Sequence, residues 1–271
     1  MAIKFNGVKV INNGGGGGAS WPGDATKLLA GDGSQITVGD GLQLSSNTLS
    51  STLPQSSYVS TSSDSTVSLL LHMEGANDST TFTDKSYSPK AATVSGNAKI
   101  STSTAKFGSS SAYFDGSGDF LSYAYSSDFD LSGGTYTIEG WVNPSSLASE
   151  MGVICKHGFA IGADWMFYIT NSTTVKFYTN GAAYTRTVPT ISTGTWYHFA
   201  VVRSAATGLI SIYWNGTLAG ATISATTTNT AATLGIGADR PNNPQVYFNG
   251  YIDEIRLTKG AARYTLSLIH I

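Results

Sequence analysis

From Val67 to Tyr264 the chain is a succession of short, alternating apolar runs broken by turn residues, and this rhythm limits its fold more than any other feature. VSLLLHM, AYF, TYTIEGWV, MFYIT, VKFYT, AYTRTV, WYHFAVV, LISIYW, ATLGIG and VYFNGYIDEIRL have the length and composition of strands. In YTNGAAY and YWNGTLA an Asn-Gly pair separates two such runs, and both residues tolerate the positive φ of a two-residue type I′ hairpin. Antiparallel neighbours are therefore expected. No long stretch of period 3.6 and no β-α-β rhythm occurs, so Rossmann and TIM-barrel architectures fall away. The expectation is an all-β sandwich or barrel.

Composition supports this. Only 12% of the 271 residues are charged, about half the density of an ordinary soluble domain. Ser and Thr make up about a quarter of the chain and 31 residues are Gly, which argues against a helical bundle and against a charged disordered tail. A net charge of −2 provides no electrostatic footprint for nucleic acid. The single cysteine, Cys155, cannot form an intrachain disulfide, and at this length a core forms without one. The start, MAIKFNGVKVINNGGGGG, has no apolar h-region, and no stretch approaches the roughly eighteen apolar residues of a membrane span. Neither a signal peptide nor membrane insertion is expected.

Three regimes divide the chain. Residues 1–60 carry short apolar pairs between Gly and Ser clusters and are expected to form an extended segment, with Gly14 to Gly18 a flexible joint of about 12 Å reach. Residues 65–265 carry the strand rhythm. The last six residues, 266–271, follow without a turn signal, resemble a translated sequencing adapter and are set aside. On that reading the natural chain is expected to continue past Thr265.

The sandwich region is similar to the laminin-G-like, concanavalin A-like lectin/glucanase domains. The resemblance rests on LLLHMEGANDSTTFTDKS at 69–86, KFGSSSAYFDGSGDFLSY at 106–123, YTIEGWVNP at 136–144, WYHFAVVRS at 196–204, ISIYWNGTLAG at 210–220 and NGYIDEIRLTKGAARYT at 249–265, in the family's order. It implies a jelly-roll sandwich of two antiparallel sheets. In Trp196 to Arg203 both faces are largely apolar, as in a strand within a large packed sheet. His198 reads as a hydrogen-bonded core histidine rather than a ligand, and Trp141 and Trp196 as core aromatics.

Some members of this broad fold are glycosidases, which need two carboxylates on one face about 5–9 Å apart. Glu139 has no acidic neighbour two or four positions away, and adjacent Asp253 and Glu254 point to opposite faces of a strand. Asp128 and Asp130 have the right spacing but sit in a turn-like segment, SSDFDLSGG. No G-x-S-x-G elbow, P-loop or dinucleotide fingerprint occurs, and Cys155 with His157 lacks the second ligand pair that zinc requires. No catalysis is expected.

The resemblance implies one cofactor, a structural calcium tying the first strand to the last through hard oxygen ligands. Glu74, Asp253 and the carbonyl of Gly116 are the matching positions. The alternative is that Glu74 is a solvated turn acid and Asp253 a strand-end hydrogen-bonder.

Without catalysis, the fold's common use is glycan binding, which needs flat aromatic faces and neutral polar groups. The candidates are Tyr178, Tyr184 and Trp214 on hairpin strands, with Asp239, Arg240, Asn242 and Asn243 in the polar, proline-stiffened loop ADRPNNPQ. Core packing is the competing role for each aromatic.

The amino-terminal GDATKLLAGDGSQITVGDGLQLSSNTLSST resembles bacteriophage tail-fibre sequences, and GDGLQLSSNTLS one repeat of a triple β-spiral shaft, although only one unit is present. Ile36, Val38, Leu42 and Leu44 form two alternating apolar pairs that so short a unit cannot bury alone, so a homotrimer is expected. The first functional reading is a phage virion protein: a tail-fibre or appendage subunit that assembles with other virion proteins, is released by lysis, and binds a host-surface glycan or receptor through its lectin-like domain. The alternatives are a bacterial surface adhesin or carbohydrate-binding module of a larger enzyme, and a purely structural virion knob.

Overall fold

A computed structural model describes residues 64–158, 162–239 and 246–264, and the backbone of six short strands before residue 52. The Gly14–Gly18 run and residues 265–271 lie outside the described residues. The chain divides into two units, 1–59 and 60–271.

Among the described residues of the first unit the strands form three antiparallel pairs. β1 (Ile3–Phe5) pairs with β2 (Val8–Val10), β3 (Lys27–Leu29) with β4 (Gln35–Thr37), and β5 (Leu42–Ser45) with β6 (Thr48–Ser51). Ile36 and Leu44, expected in one unit, fall in different hairpins, where Ile36 pairs with Leu28 and Leu44 with Leu49.

The second unit is the expected sandwich of two antiparallel sheets. The nine-stranded sheet runs β19 (Thr217–Leu218), β18 (Leu209–Trp214), β17 (Tyr197–Ser204), β12 (Tyr136–Pro144), β22 (Asn249–Lys259), β10 (Ser111–Asp115), β9 (Lys99–Ser101). Short β20 (Ile223–Ser224) adds to β18, and β7 (Val67–Leu71) to β22. The seven-stranded sheet runs β16 (Ala182–Thr187), β15 (Thr174–Thr179), β14 (Gly162–Asn171), β13 (Met151–Gly158), β21 (Thr233–Ile236), β11 (Phe120–Tyr123), β8 (Thr93–Ser95). Among the described residues no helix is long and apolar enough to cross a membrane.

Both Asn-Gly hairpins form as the sequence predicts. Asn180 and Gly181 (φ 50° and 77°) join β15 to β16, and Asn215 and Gly216 (φ 46° and 80°) join β18 to β19.

One core lies between the sheets and draws alternate residues from both. Phe167 of β14 stacks on Phe199 of β17, ring centroids 4.5 Å apart and 11° from parallel, so the two sheets interlock at their centres. β22 organises the larger sheet: one edge pairs with β12, while the other is shared by β10 at Asn249–Ile252 and β7 at Ile255–Thr258. Between those halves a bulge inserts Glu254 with φ 51°, and its carboxylate accepts from His72 Nδ1 at 2.8 Å. The extra residue keeps Ile252, Ile255 and Leu257 in the core and leaves Asp253 and Arg256 on the outer face.

Candidate functional site

The structure separates the predicted aromatic candidates. Trp214 is 2% exposed and stacks on Tyr197 at 5.3 Å, so it is a core residue with no face for a ligand. Tyr184 pairs across from Phe177 and packs against the central core, which places it on the inner side of β16. Tyr178 is on the opposite, outer face of the seven-stranded sheet, half-buried against Cys155, Met166 and Tyr168. Adjacent strand positions alternate faces, so Tyr178 and Tyr184 cannot form one platform.

Tyr178 does share its face with the start of the polar loop. Cross-strand pairing runs Tyr178 to Met166, Met166 to Cys155, Cys155 to Gly235 and Gly235 to Ser122. Gly237 (φ 87°) turns the chain after β21, and Cys155 Sγ donates to the Ala238 carbonyl at 3.3 Å. The backbone of Ala238 and Asp239 then lies directly over Gly152, where an added Cβ would stand 2.5 Å from the Asp239 nitrogen. Only glycine admits that crossing.

Asp239 is 2% exposed, and its Oδ1 accepts from the Val246 N–H at 3.1 Å while its own N–H donates to the Val246 carbonyl. It closes the loop and does not present a carboxylate to solvent. Arg240, Asn242 and Asn243 lie outside the described residues. One row beyond Tyr178, Lys176 sits 4.1 Å from the Tyr168 ring and 2.5 Å from Glu150, so an aromatic and an ion pair border the shelf. Sequence reasoning missed Met166, Tyr168, Lys176 and Gly152; period-two alternation from Tyr178 could have found Lys176, but only the fold brings in the others.

The calcium positions do not converge. Glu74 accepts from Ser109 N–H and Oγ at 2.9 and 2.8 Å and from Ser110 Oγ at 3.3 Å, all at the start of β10. Asp253 has no exposed surface; its Oδ2 accepts from the Lys106 and Phe107 N–H groups and its Oδ1 from that of Glu254. Gly116 follows the far end of β10, one five-residue strand or about 17 Å away. Glu74 and Asp253 thus anchor the 106–110 segment, whose donors occupy carboxylate oxygens that a cation would otherwise take. Among the described residues no group of three His, Cys, Asp or Glu side chains could hold a metal ion.

The remaining acids are engaged separately. Asp128 pairs with Lys90 at 2.8 Å and Asp130 with Lys156 at 2.7 Å, in and beside a single 3-10 turn, Ser127–Phe129, so the spacing seen in sequence does not make a catalytic pair. Glu139 lies diagonally from Asp253 on the neighbouring strand, since Trp141 pairs with Asp253 and Glu139 with Arg256. Burial works to raise the Glu139 carboxyl, but hydrogen bonds from His198, Arg256 and Tyr264 outweigh it and hold the group at about 2. Burial pushes Asp253 up to about 6 against its backbone donors. The two are 4% and 0% exposed, which closes both to a substrate.

His198 is the buried residue expected, 3% exposed, with its Nε2 3.7 Å from Glu139. Trp141 and Trp196 depart from expectation: both are half-buried on the outer face of the nine-stranded sheet. Lys106 lies 4.0 Å over the Trp141 ring, and Trp196 Nε1 donates to Thr104 Oγ1 at 3.3 Å, so the 102–110 segment covers them instead of the core.

The profile of the concanavalin A-like lectin/glucanases superfamily matches residues 115–263. No curated protein matches the chain. Among solved structures, the binding domain of botulinum neurotoxin serotype G is 13% identical, with 74% of this chain and 49% of that chain covered and a TM-score of 0.53. The botulinum neurotoxin type C structure, whose cell entry depends on interaction with two ganglioside molecules, is 12% identical over 74% and 49%, with a TM-score of 0.50. Domain 4 of AbnA, a GH43 extracellular arabinanase from Geobacillus stearothermophilus in complex with arabinotriose, is 19% identical over 64% and 84%, with a TM-score of 0.45. The chain spans about half the length of the botulinum structures, and at these identities the likeness is one of fold.

Proposed function

The chain belongs to the concanavalin A-like lectin/glucanases superfamily, and from that premise we propose that its sandwich is a non-catalytic binding domain for a glycan or glycan-bearing receptor on a host surface. One observation carries the reading: Tyr178 and the Ala238–Asp239 crossing, 60 positions apart in sequence at their nearest, share one outer face of the seven-stranded sheet. Tyr178 supplies a ring for stacking against the CH face of a sugar, and the Lys176–Glu150 pair borders it with polar groups. Ganglioside interaction by the botulinum type C protein is consistent with glycan recognition on this fold.

The domain serves as the recognition head of a tail-fibre or appendage subunit that assembles with other virion proteins. Support comes from the amino-terminal hairpins: an isolated two-stranded hairpin is marginally stable at best in water, and a homotrimer gives these strands neighbours. Glu139 and Asp253 are buried and Asp128 and Asp130 are ion-paired, which favours binding over hydrolysis.

Glycan-array screening of the full chain, with the hit titrated calorimetrically, tests the reading. Tyr178→Ala and Gly152→Ala should each weaken the hit about tenfold, the second by displacing the Ala238–Asp239 crossing. Unchanged affinity in both variants, or a monomeric mass by light scattering, would overturn the corresponding half.

A further inference from the structure

Lys156 of β13 and Asp164 of β14 have no exposed surface, and they face each other across neighbouring strands of the seven-stranded sheet. Lys156 pairs with Trp165 and His157 with Ala163, so Asp164 is the extra residue of a bulge, which re-aims its carboxylate onto the Lys156 ammonium. On the other side Lys156 pairs with Leu234 of β21, and Leu234 and Trp165 both belong to the core between the sheets. A primary amine and a carboxylate therefore meet at 2.8 Å where bulk water has no access.

The surrounding contacts equip this pair for more than charge neutralisation. Asp130 Oδ1 lies 2.7 Å from the same nitrogen, and its Oδ2 accepts from the Tyr125 hydroxyl at 2.9 Å, so a second carboxylate is fixed beside the amine. Asp164 Oδ1 accepts from Thr228 Oγ1 at 3.3 Å, and Oδ2 from the Thr230 N–H at 2.9 Å. A nitrogen this close to a carboxylate oxygen stands about 3.5 Å from the carboxylate carbon, a near-attack separation, and groups held in that way react with effective molarities of about 10⁵ M or more. Keeping two opposite charges out of water is costly, and joining them as a neutral amide removes both from the core.

We propose that Lys156 and Asp164 condense into an intramolecular isopeptide bond, with Asp130 as the proton relay and the ion pair as the reactant state. One ammonium proton passes to Asp164 Oδ2, which leaves a neutral amine and a neutral carboxylic acid. The Nζ lone pair attacks Asp164 Cγ, and the negative charge that develops on Oδ1 is met by the Thr228 hydroxyl. Asp130 takes a proton from the attacking nitrogen and delivers it to the departing Oδ2 hydroxyl. The Nζ–Cγ bond forms, the Cγ–Oδ2 bond breaks, one water leaves, and Asp130 is again a carboxylate. The amide N–H then faces Asp130 Oδ1 and the amide oxygen faces Thr228, so both product groups find partners already in place. The bond fastens β13 to β14 covalently, and it depends on neither the glycan nor the virion reading.

Intact mass spectrometry of the full chain, folded and then denatured for the measurement, tests this. The wild type should be one water lighter than its sequence, trypsin should fail to cut after Lys156, and fragmentation should join Lys156 to Asp164. Lys156→Arg and Asp164→Ala should each have the full sequence mass. Asp130→Asn keeps the reacting pair and, in freshly synthesised chain followed over time, should slow the loss of water about a hundredfold. Melting curves of each variant separate loss of reaction from loss of fold. A wild type that keeps its full mass after prolonged incubation in the folded state would overturn the proposal. So would a loss of water placed elsewhere, for instance at Asp115-Gly116, or a link from Lys156 to Asp130. Condensation of Asp130→Asn at the wild-type rate would remove Asp130 from the relay.

Discussion

The Lys156 ammonium lies 2.8 Å from the Asp164 carboxylate, and neither side chain has any exposed surface. Asp130 at 2.7 Å and the Thr230 carbonyl at 2.9 Å complete its partners, so one buried cation ties the 3-10 turn, β13 and the Thr-rich segment before β21 together. Lys156→Ala would leave Asp164 buried without its counter-ion. It should lower stability in urea by about 3–5 kcal/mol, and a loss below about 1 kcal/mol would show that the site relaxes or hydrates freely.

Asp253 and Glu139 predict opposite responses to pH. Burial raises Asp253 from 3.8 to about 6, so the native state holds a proton that the unfolded chain has released, and stability falls as pH rises through that interval. Asp253→Asn should flatten this slope, worth about 2 kcal/mol after allowance for solvent screening. Glu139 is held at about 2 against its ordinary 4.5, so its contribution is full above 4.5 and is lost as pH falls towards 2. Glu139→Gln should remove that acid limb. Urea titrations in steps of pH give both slopes.

Trp214 should behave as a core residue. Its ring stacks on Tyr197 with almost no exposure, so Trp214→Ala should cost about 3–5 kcal/mol. Glycan affinity per folded molecule should not change, a contrast with Tyr178→Ala that calorimetry on refolded material resolves.

Calcium should not move the melting temperature. Glu74 and Asp253 accept hydrogen bonds from the 106–110 segment, and Gly116 is at the other end of β10. Melts in excess chelator and in added calcium should agree to within about 1 °C. A rise of several degrees with calcium would mean that these donors yield to a cation.

Much of the fold was legible because its determinants are local. Asn180-Gly181 and Asn215-Gly216 specify their hairpins through φ alone, and alternation identified the strands that supply Phe167, Phe199 and Ile212 to the core. The candidate site was less legible. Tyr178, Tyr184 and Trp214 look alike in sequence, each an aromatic in a strand beside a turn, yet they occupy the outer face, the inner face and the centre of the core. Trp141 and Trp196 look like core aromatics until the 102–110 segment is seen to cover them from outside.

By itself, the sequence determined the class of fold, the antiparallel pairing and the hairpin positions, since period-two alternation and turn stereochemistry act within a few residues. Only the tertiary structure decided which face of each strand is buried against the other sheet and which residues distant in sequence share a row. Asn143 beside Tyr251, 108 positions apart, and Cys155 beneath Ala238 are set by strand order and by the Glu254 bulge. Those depend on how two whole sheets pack, and no local pattern encodes them.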